Sequence, residues 1–269
     1  MSVADERLQL ARDVLDSLDL TVAGDDEFEG VPPATFGERS FGGQVVAMAI
    51  AAVMRSSESS VAPHSLHAYF LRPVTPLEPV RLRVESIREG RSFRTYEVRM
   101  TQNDKSAFVA TCQFHADEPG EDYQPTMPDV APADDVEEHW RHGPIESRSL
   151  GPTPIRADGT YESTRRAWLR LPVQLSGDPI VATAMAAYLS DLTGTAYRPL
   201  TLDQYGGFVD ASLDHAMWFH RPLRVDDWVY FDVQCSITHA GRSHIRGAMY
   251  DADGQLCLSM AQELLIRPL

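Results

Sequence analysis

An aspartate at the end of an apolar helix is the first group in this sequence whose position points to catalysis. The run PIVATAMAAYLSDL, residues 179–192, is almost wholly apolar, and Asp191 falls in its last turn. The negative end of the helix dipole opposes ionisation of a carboxylate, and burial raises its pKa further. Such a group suits general-base activation of water. The structural alternative is an exposed aspartate in a fraying turn.

Two more polar residues stand in or beside apolar strands. Gln262 lies within LSMAQELLI, where a buried amide without partners would cost about 1–3 kcal/mol. It either bonds to the core backbone or positions a water molecule. Ser212 precedes the stretch DHAMWFH and has no Gly-x-Ser-x-Gly elbow around it, which argues against a nucleophilic serine.

The spacing of the histidines argues against a metal site. His64 and His67 are three apart on a predicted strand, so regular alternation would place them on opposite faces. His215 and His220 also fall on opposite faces. Adjacent strand residues point apart, which favours a structural role for Asp214-His215 over a catalytic dyad. We therefore expect no metal and no other cofactor.

The sequence contains an internal repeat. DHAMWFHRP (214–222) has an echo in SLHAYFLRP (65–73), and ATCQF matches SMAQE, which aligns Gln113 with Gln262. The offset stays near ~150 residues across several motifs, so a whole domain is duplicated.

Each copy places one helix before antiparallel strands, an α+β arrangement. In the first copy FGG precedes a helix over 44–56, and in the second Asp178 can cap the helix that begins at Pro179. Strands are predicted over 92–102 and 106–114, joined by a turn at Asn103-Asp104, and over 228–238, 242–250 and 255–266.

Charge and composition narrow the partners. The net charge of −15 is concentrated in residues 1–30 and 115–150, which argues against binding to nucleic acid. No run reaches the ~18 apolar residues of a membrane span. Three separated cysteines fit the reducing cytoplasm. The acidic, proline-containing residues 115–164 are predicted to link an N-terminal domain, 1–114, to a C-terminal domain, 165–269.

The order of the motifs resembles that of the acyl-CoA thioesterase II family. FGGQVVAMAI, HSLHAYFLRP, YLSDL, SLDHAMWFHRP and AQELLIRP occur in the family's order, over about residues 28–114 and 165–268. The resemblance implies a double hotdog fold, in which each of two domains wraps a curved antiparallel sheet around one central helix. It also implies hydrolysis of fatty acyl-CoA to free fatty acid and coenzyme A.

The resemblance assigns the site. The family holds its hydrolytic water with an Asp, a Ser or Thr, and a Gln, and these positions match Asp191, Ser212 and Gln262. The first copy has Ser65 where the second has Asp214, and it lacks a Ser-Asp-Leu sequence. We therefore expect the C-terminal domain to carry the catalytic residues.

Two sets of candidate substrate contacts come from the N-terminal domain. Gly42 and Gly43 open the first helix, and their amides suit the thioester oxygen, although a tight turn explains them equally well. Arg91 and Arg94 lie in an arginine-rich strip, residues 72–99, and are candidates for coenzyme A phosphates. Solvent-facing strand residues are the alternative.

Two other functions remain open. A double-hotdog enoyl-CoA hydratase would use an Asp/His dyad in a hydratase motif, of which the sequence has no good copy. A non-catalytic acyl-CoA-binding protein would not need all three polar positions. The duplication makes each chain a pseudo-dimer, and we expect further assembly into a homo-oligomer, through sheet edges.

Overall fold

The computed structural model describes residues 2–57, 62–137, 143–150, 164–193 and 208–268. The helices of this part of the chain are α1 (Val3–Asp16), α2 (Gly42–Ser56) and α3 (Pro179–Ser190), with a short 3-10 helix at Ala133–Asp135. The strands are β1 (Thr21–Gly24), β2 (Glu27–Gly30), β3 (Ala62–Phe70), β4 (Val80–Glu89), β5 (Phe93–Gln102), β6 (Lys105–His115), β7 (Glu146–Ser149), β8 (Thr164–Arg170), β9 (Phe208–Ser212), β10 (Asp214–Phe219), β11 (Val229–His239), β12 (Arg242–Tyr250) and β13 (Leu256–Pro268).

The described strands form one continuous antiparallel sheet. Its order is β1-β2-β4-β5-β6-β3-β10-β13-β12-β11-β8-β7, and β9 pairs with the end of β13. The two halves meet where β3 pairs with β10, the strands of the repeated phrase. Both long central helices pack against each other, and one large apolar core includes residues of both. The α+β double hotdog predicted from the sequence is the fold observed.

Local sequence explains the elements that were predicted. Residues 43–53 of α2 are all buried, which accounts for the unbroken apolar run. Helix α3 begins at Pro179 after Asp178, whose side chain accepts the amide of Ile180, as an N-cap requires. Asn103 and Asp104 have φ of 51° and 59°, which suits the two-residue hairpin between β5 and β6.

The strand register corrects the alignment of the two glutamines. Leu66 pairs with Cys112 in the first half, whereas Ala216 pairs with Ala261 in the second, which puts His215 beside Gln262. The repeat therefore matches Cys112, and not Gln113, with Gln262. A shift of one residue turns a side chain to the other face of a sheet, so Gln113 is half-buried on the outer face and Gln262 lies inside.

A bulge corrects the prediction for the first histidine pair. The pairing of β3 with β6 shifts between Pro63 and Ser65. This breaks the alternation, and His64 lies on the outer face, where its Nε2 is 3.1 Å from Oε1 of Gln113. His67 is exposed on that same face. Within the described ranges, no group of three or more His, Cys, Asp or Glu residues is arranged to hold a metal ion.

The predicted linker is partly built into the C-terminal half. Strand β7 adds to the sheet edge beside β8, and the covering segment, residues 122–136, lies on the outer face. Trp168 donates its indole N–H to the carbonyl of Ala131 at 2.9 Å, and Met127 and Val130 pack on the aromatic cluster beneath. Residues 138–142 and 151–163 of the predicted linker lie outside the described part. The domain boundaries stay a prediction.

Candidate active site

Asp191 lies at the junction of the two central helices. It is the C-cap of α3, with φ −90° and ψ −1°, and only 8% of the residue is exposed. At its end α3 tightens into a 3-10-type turn, in which the amide of Asp191 donates to the carbonyl of Tyr188 and that of Leu192 to the carbonyl of Leu189. The structure places Asp191 at the helix end, as predicted, and its burial excludes the alternative of an exposed aspartate.

Gln262 joins Asp191 to Ser212. Its amide nitrogen donates to Oδ1 of Asp191 at 2.6 Å and to Oγ of Ser212 at 2.9 Å. Strand β13 carries the glutamine inward, and the end of β9 places the serine next to it, because Leu264 pairs with Ser212. The structure therefore brings together the three residues that the family resemblance selected. Gln262 is 1% exposed and is buried more deeply than Asp191 and Ser212.

The environment of Asp191 raises its pKa to about 6. Burial is the main cause, because desolvation disfavours the charged carboxylate. Hydrogen bonds from Gln262, from the backbone amide of Gly43 and from Ser212 lower the pKa in part, while the negative charge of Asp210 raises it. The result is a carboxylate that is ionised at neutral pH yet accepts a proton readily, as a general base must.

The Gly42-Gly43 pair lets α2 approach the carboxylate. A Cβ on Gly42 would lie 2.6 Å from Oδ2 of Asp191, and a Cβ on Gly43 would lie 2.5 Å from the carbonyl oxygen of Tyr188. Neither position has room for a side chain. The first amides of α2 have no partner inside the helix and carry its positive end, and the amide of Gly43 donates to Asp191.

A cavity of about 550 Å³ opens beside these groups. Its lining residues include the polar side chains of Asp191, Ser212 and Asp210, next to Gly42. Its apolar wall comes from both halves of the molecule, with Phe36, Phe41, Val45, Phe70, Val74, Ile145, Leu169, Leu192, Leu213 and Leu264. The site therefore lies between the two hotdog halves, and an apolar chain has room beside the carboxylate.

The arginines at the cavity differ from those expected. Arg91 and Arg94 are absent from its wall; Arg94 lies near the carbonyl of Ser57, at the end of α2 remote from Gly42. Three others line the cavity: Arg39, Arg72 and Arg165. Two of them stand near motifs that the sequence does display, since Arg39 precedes SFGG and Arg72 belongs to the LRP of the repeated phrase. Arg165 has no such signal.

His215 does not pair with its neighbour Asp214, as the alternation of strand residues predicts. It is fully buried, and burial lowers its pKa to about 3, so the ring is neutral. Its Nε2 lies 2.8 Å from the hydroxyl of Ser190, the residue before Asp191. Asp214 points elsewhere and accepts the amide of Glu263 at 2.6 Å. The two do not form a dyad.

The fold and the site define a double-hotdog protein with a carboxylate placed to activate water. Comparison with known proteins agrees with that class. The acyl-CoA thioesterase N-terminal domain model matches residues 31–115, and the corresponding C-terminal domain model matches residues 119–266. The chain therefore belongs to the acyl-CoA thioesterase family, whose members are acyl-CoA thioester hydrolases.

Individual relatives cover most of the chain. Acyl-coenzyme A thioesterase 8 of Mus musculus is 32% identical over 259 residues, which is 86% of this chain and 81% of that protein. Acyl-CoA thioesterase 2 of Haemophilus influenzae is 30% identical over 253 residues, 84% of this chain and 87% of that protein. The crystal structure of acyl-CoA thioesterase II TesB2 from Mycobacterium marinum superimposes with a TM-score of 0.83 at 28% identity, over 96% and 98% of the two chains.

Proposed function

We propose that this enzyme hydrolyses fatty acyl-CoA to free fatty acid and coenzyme A by direct attack of water. The observation that carries the proposal is the contact of Gln262 with both Asp191 and Ser212 beside a largely apolar cavity. The amide fixes the two oxygen groups, and each presents a remaining lone pair or proton to a water molecule. Family membership supplies the thioester as the substrate.

The reaction follows from the positions of these groups. Asp191 removes a proton as the water oxygen attacks the carbonyl carbon, and Ser212 orients that water. The amide of Gly43 is engaged by Asp191, which leaves the amide of Gly42 to stabilise the oxyanion at the positive end of α2. Collapse of the tetrahedral intermediate breaks the carbon–sulfur bond, and the coenzyme A thiolate takes up the proton from Asp191.

Coenzyme A would approach from the cavity opening. Arg39 and Arg72 lie on the cavity wall and are solvent-exposed, which suits contacts with the phosphates of coenzyme A. They are better placed for this role than Arg91 and Arg94, which remain candidates only for contacts beyond the cavity. Separated free cysteines support the further proposal that the enzyme works in the cytoplasm.

Thiol release from a series of acyl-CoAs, short to long, tests the function. The wild type should release coenzyme A, and Asp191→Asn should lower kcat by about 100-fold or more, because loss of a general base costs about 10²–10⁴-fold. Asp104→Asn is the matched control, since this exposed turn residue has a φ of 59°, which asparagine tolerates. Equal activity in wild type and Asp191→Asn would place the base elsewhere.

The same samples separate the two alternative functions. An enoyl-CoA hydratase would consume the absorbance of an enoyl thioester without releasing thiol. A binding protein would retain acyl-CoA without turnover. Asp214 and His215 do not form the dyad that a hydratase would use. A protein that only binds acyl-CoA would not need Asp191, Ser212 and Gln262 to be held together.

A further inference from the structure

Among the described residues, one guanidinium of the cavity wall has no carboxylate partner. Arg165 lies on the inner face of β8 and lines the cavity. Its Nη1 donates to the carbonyl of Leu192, the residue after Asp191, and its Nη2 donates to Oγ of Ser147 at 3.3 Å. Burial lowers the pKa of this arginine to about 10, which still leaves it charged at neutral pH.

The neighbouring arginines differ from Arg165 because each has an acidic partner. Arg148, Arg166 and Arg170, on the same two strands, each lie within 4.0 Å of a carboxylate, those of Asp134, Asp232 and Glu146. In the part of the chain that the structure describes, Arg165 has neutral partners only. Arg165 is half-buried, and a cation that is partly withdrawn from water loses hydration that a nearby anion would compensate. Its five N–H donors also exceed the two acceptors that it contacts.

We propose that Arg165 forms an anion-binding subsite in the substrate cavity, separate from the reacting carbonyl. It would bind a carboxylate or phosphate group of the thioester substrate, and a planar guanidinium suits either through paired hydrogen bonds. The inference rests on the proposed thioesterase function and makes it more specific. The anion has two possible sources: a carboxylate at the far end of the acyl group, or a phosphate of coenzyme A.

The kcat/KM values of Arg165→Gln on three thioesters distinguish the two possible sources of the anion. The substrates are hexanoyl-CoA, its ω-carboxylated counterpart, and the hexanoyl thioester of N-acetylcysteamine, which lacks phosphates. If Arg165 binds an acyl carboxylate, kcat/KM falls at least about tenfold for the ω-carboxylated substrate and less than about twofold for the others. If it binds a phosphate, kcat/KM falls for both CoA esters and not for the N-acetylcysteamine thioester.

Controls keep a structural role separate from binding. Arg166→Gln changes the next residue of β8, which is exposed on the opposite face, and should leave all three kcat/KM values unchanged. Arg165→Lys keeps the charge and should recover part of the lost selectivity. Equal losses of kcat/KM on all three thioesters, or no loss on any, would overturn the proposal.

The wild type provides a test that does not depend on how the variants fold. With an acyl-carboxylate subsite, the wild type should hydrolyse the ω-carboxylated CoA ester with a kcat/KM at least equal to that of hexanoyl-CoA. With a phosphate subsite, both CoA esters should exceed the N-acetylcysteamine thioester, as contacts from Arg39 and Arg72 also predict, and Arg165→Gln should reduce that excess. A wild type that hydrolyses all three thioesters without either preference contradicts the subsite alone, whereas one that hydrolyses none contradicts the proposed function.

Discussion

Asp191 links the chemistry to pH. Burial raises its pKa to about 6, and only the ionised form can accept a proton from water. We therefore expect kcat/KM to rise with pH through about 6 and then to level off. A profile measured between pH 4.5 and 8.5 checks this, and an activity that is flat through pH 6 would show that another group acts as the base.

Asp210 tunes this base from the cavity wall. Beyond the dominant effect of burial, its negative charge raises the pKa of Asp191. Asp210→Asn removes that charge, so the acidic limb of the kcat/KM profile should move to lower pH. The profile of Asp104→Asn should match the wild type. A limb that stays in place in Asp210→Asn would show that this charge is screened by solvent.

The same burial has a cost in stability. Because the pKa of Asp191 in the folded chain exceeds its ordinary value near 3.8, the folded state binds more protons between these values, and stability falls as pH rises towards about 6. Asp191→Asn should therefore raise the free energy of unfolding at pH 8 by on the order of 1–3 kcal/mol while activity is lost. Urea denaturation at pH 8 measures this. A variant that is less stable than the wild type would mean that the hydrogen bonds outweigh desolvation.

At the scale of elements, the close approach of α2 to α3 depends on two glycines. Gly43→Ala would place a methyl group 2.5 Å from the carbonyl oxygen of Tyr188, and the helices would have to separate. We expect a loss of about 1–3 kcal/mol in stability, together with lower kcat because Asp191 loses its amide partner. Thermal denaturation and thiol release check both. Gly120→Ala is the control, since no atom lies within 4 Å of its added Cβ; equal effects in both variants would refute the steric argument.

The elements that the sequence predicts are those with strong local patterns. The apolar runs of α2 and α3, and the hairpin at Asn103-Asp104, are visible from periodicity and turn residues alone. Strands β1, β2 and β7 are only four residues long, too short for a periodic signal. Pairing across the sheet is also invisible locally, which is why the repeat suggested Gln113 as the counterpart of Gln262 where the register has Cys112.

The site shows the same division between local and long-range information. Asp191 is recognisable at a helix end, but its contact with Gln262 spans 71 residues and required the family resemblance. Arg165 was missed because nothing in its neighbourhood distinguishes it from Arg166. Only the fold shows that one of this pair lines the cavity while the other pairs with Asp232 on the outer face.

At the scale of the whole molecule, the two faces of the sheet differ in how they are covered. The helices fill the inner face, and the covering segment protects the aromatic cluster of the C-terminal outer face. The middle of the outer face is different: Tyr69 is 61% exposed and Trp218 is 37% exposed, on the paired strands β3 and β10. We propose these two aromatic side chains as part of a contact surface for another chain.

We propose that the chain forms a homo-oligomer, and the short sheet edges favour the central outer face as its contact surface. The sheet ends in β1 and β7, each four residues long, and such short edges are poor templates for pairing between chains. Self-association through the central outer face is therefore favoured over the sheet edges expected from the sequence. Sedimentation velocity should show a species larger than the 29.9 kDa chain, and Tyr69→Gln with Trp218→Gln should shift it towards the monomer. Ile237→Gln, an equally apolar exposed position on β11, should not. A monomeric wild type would refute the assembly, and an oligomer unchanged by the double substitution would refute this surface.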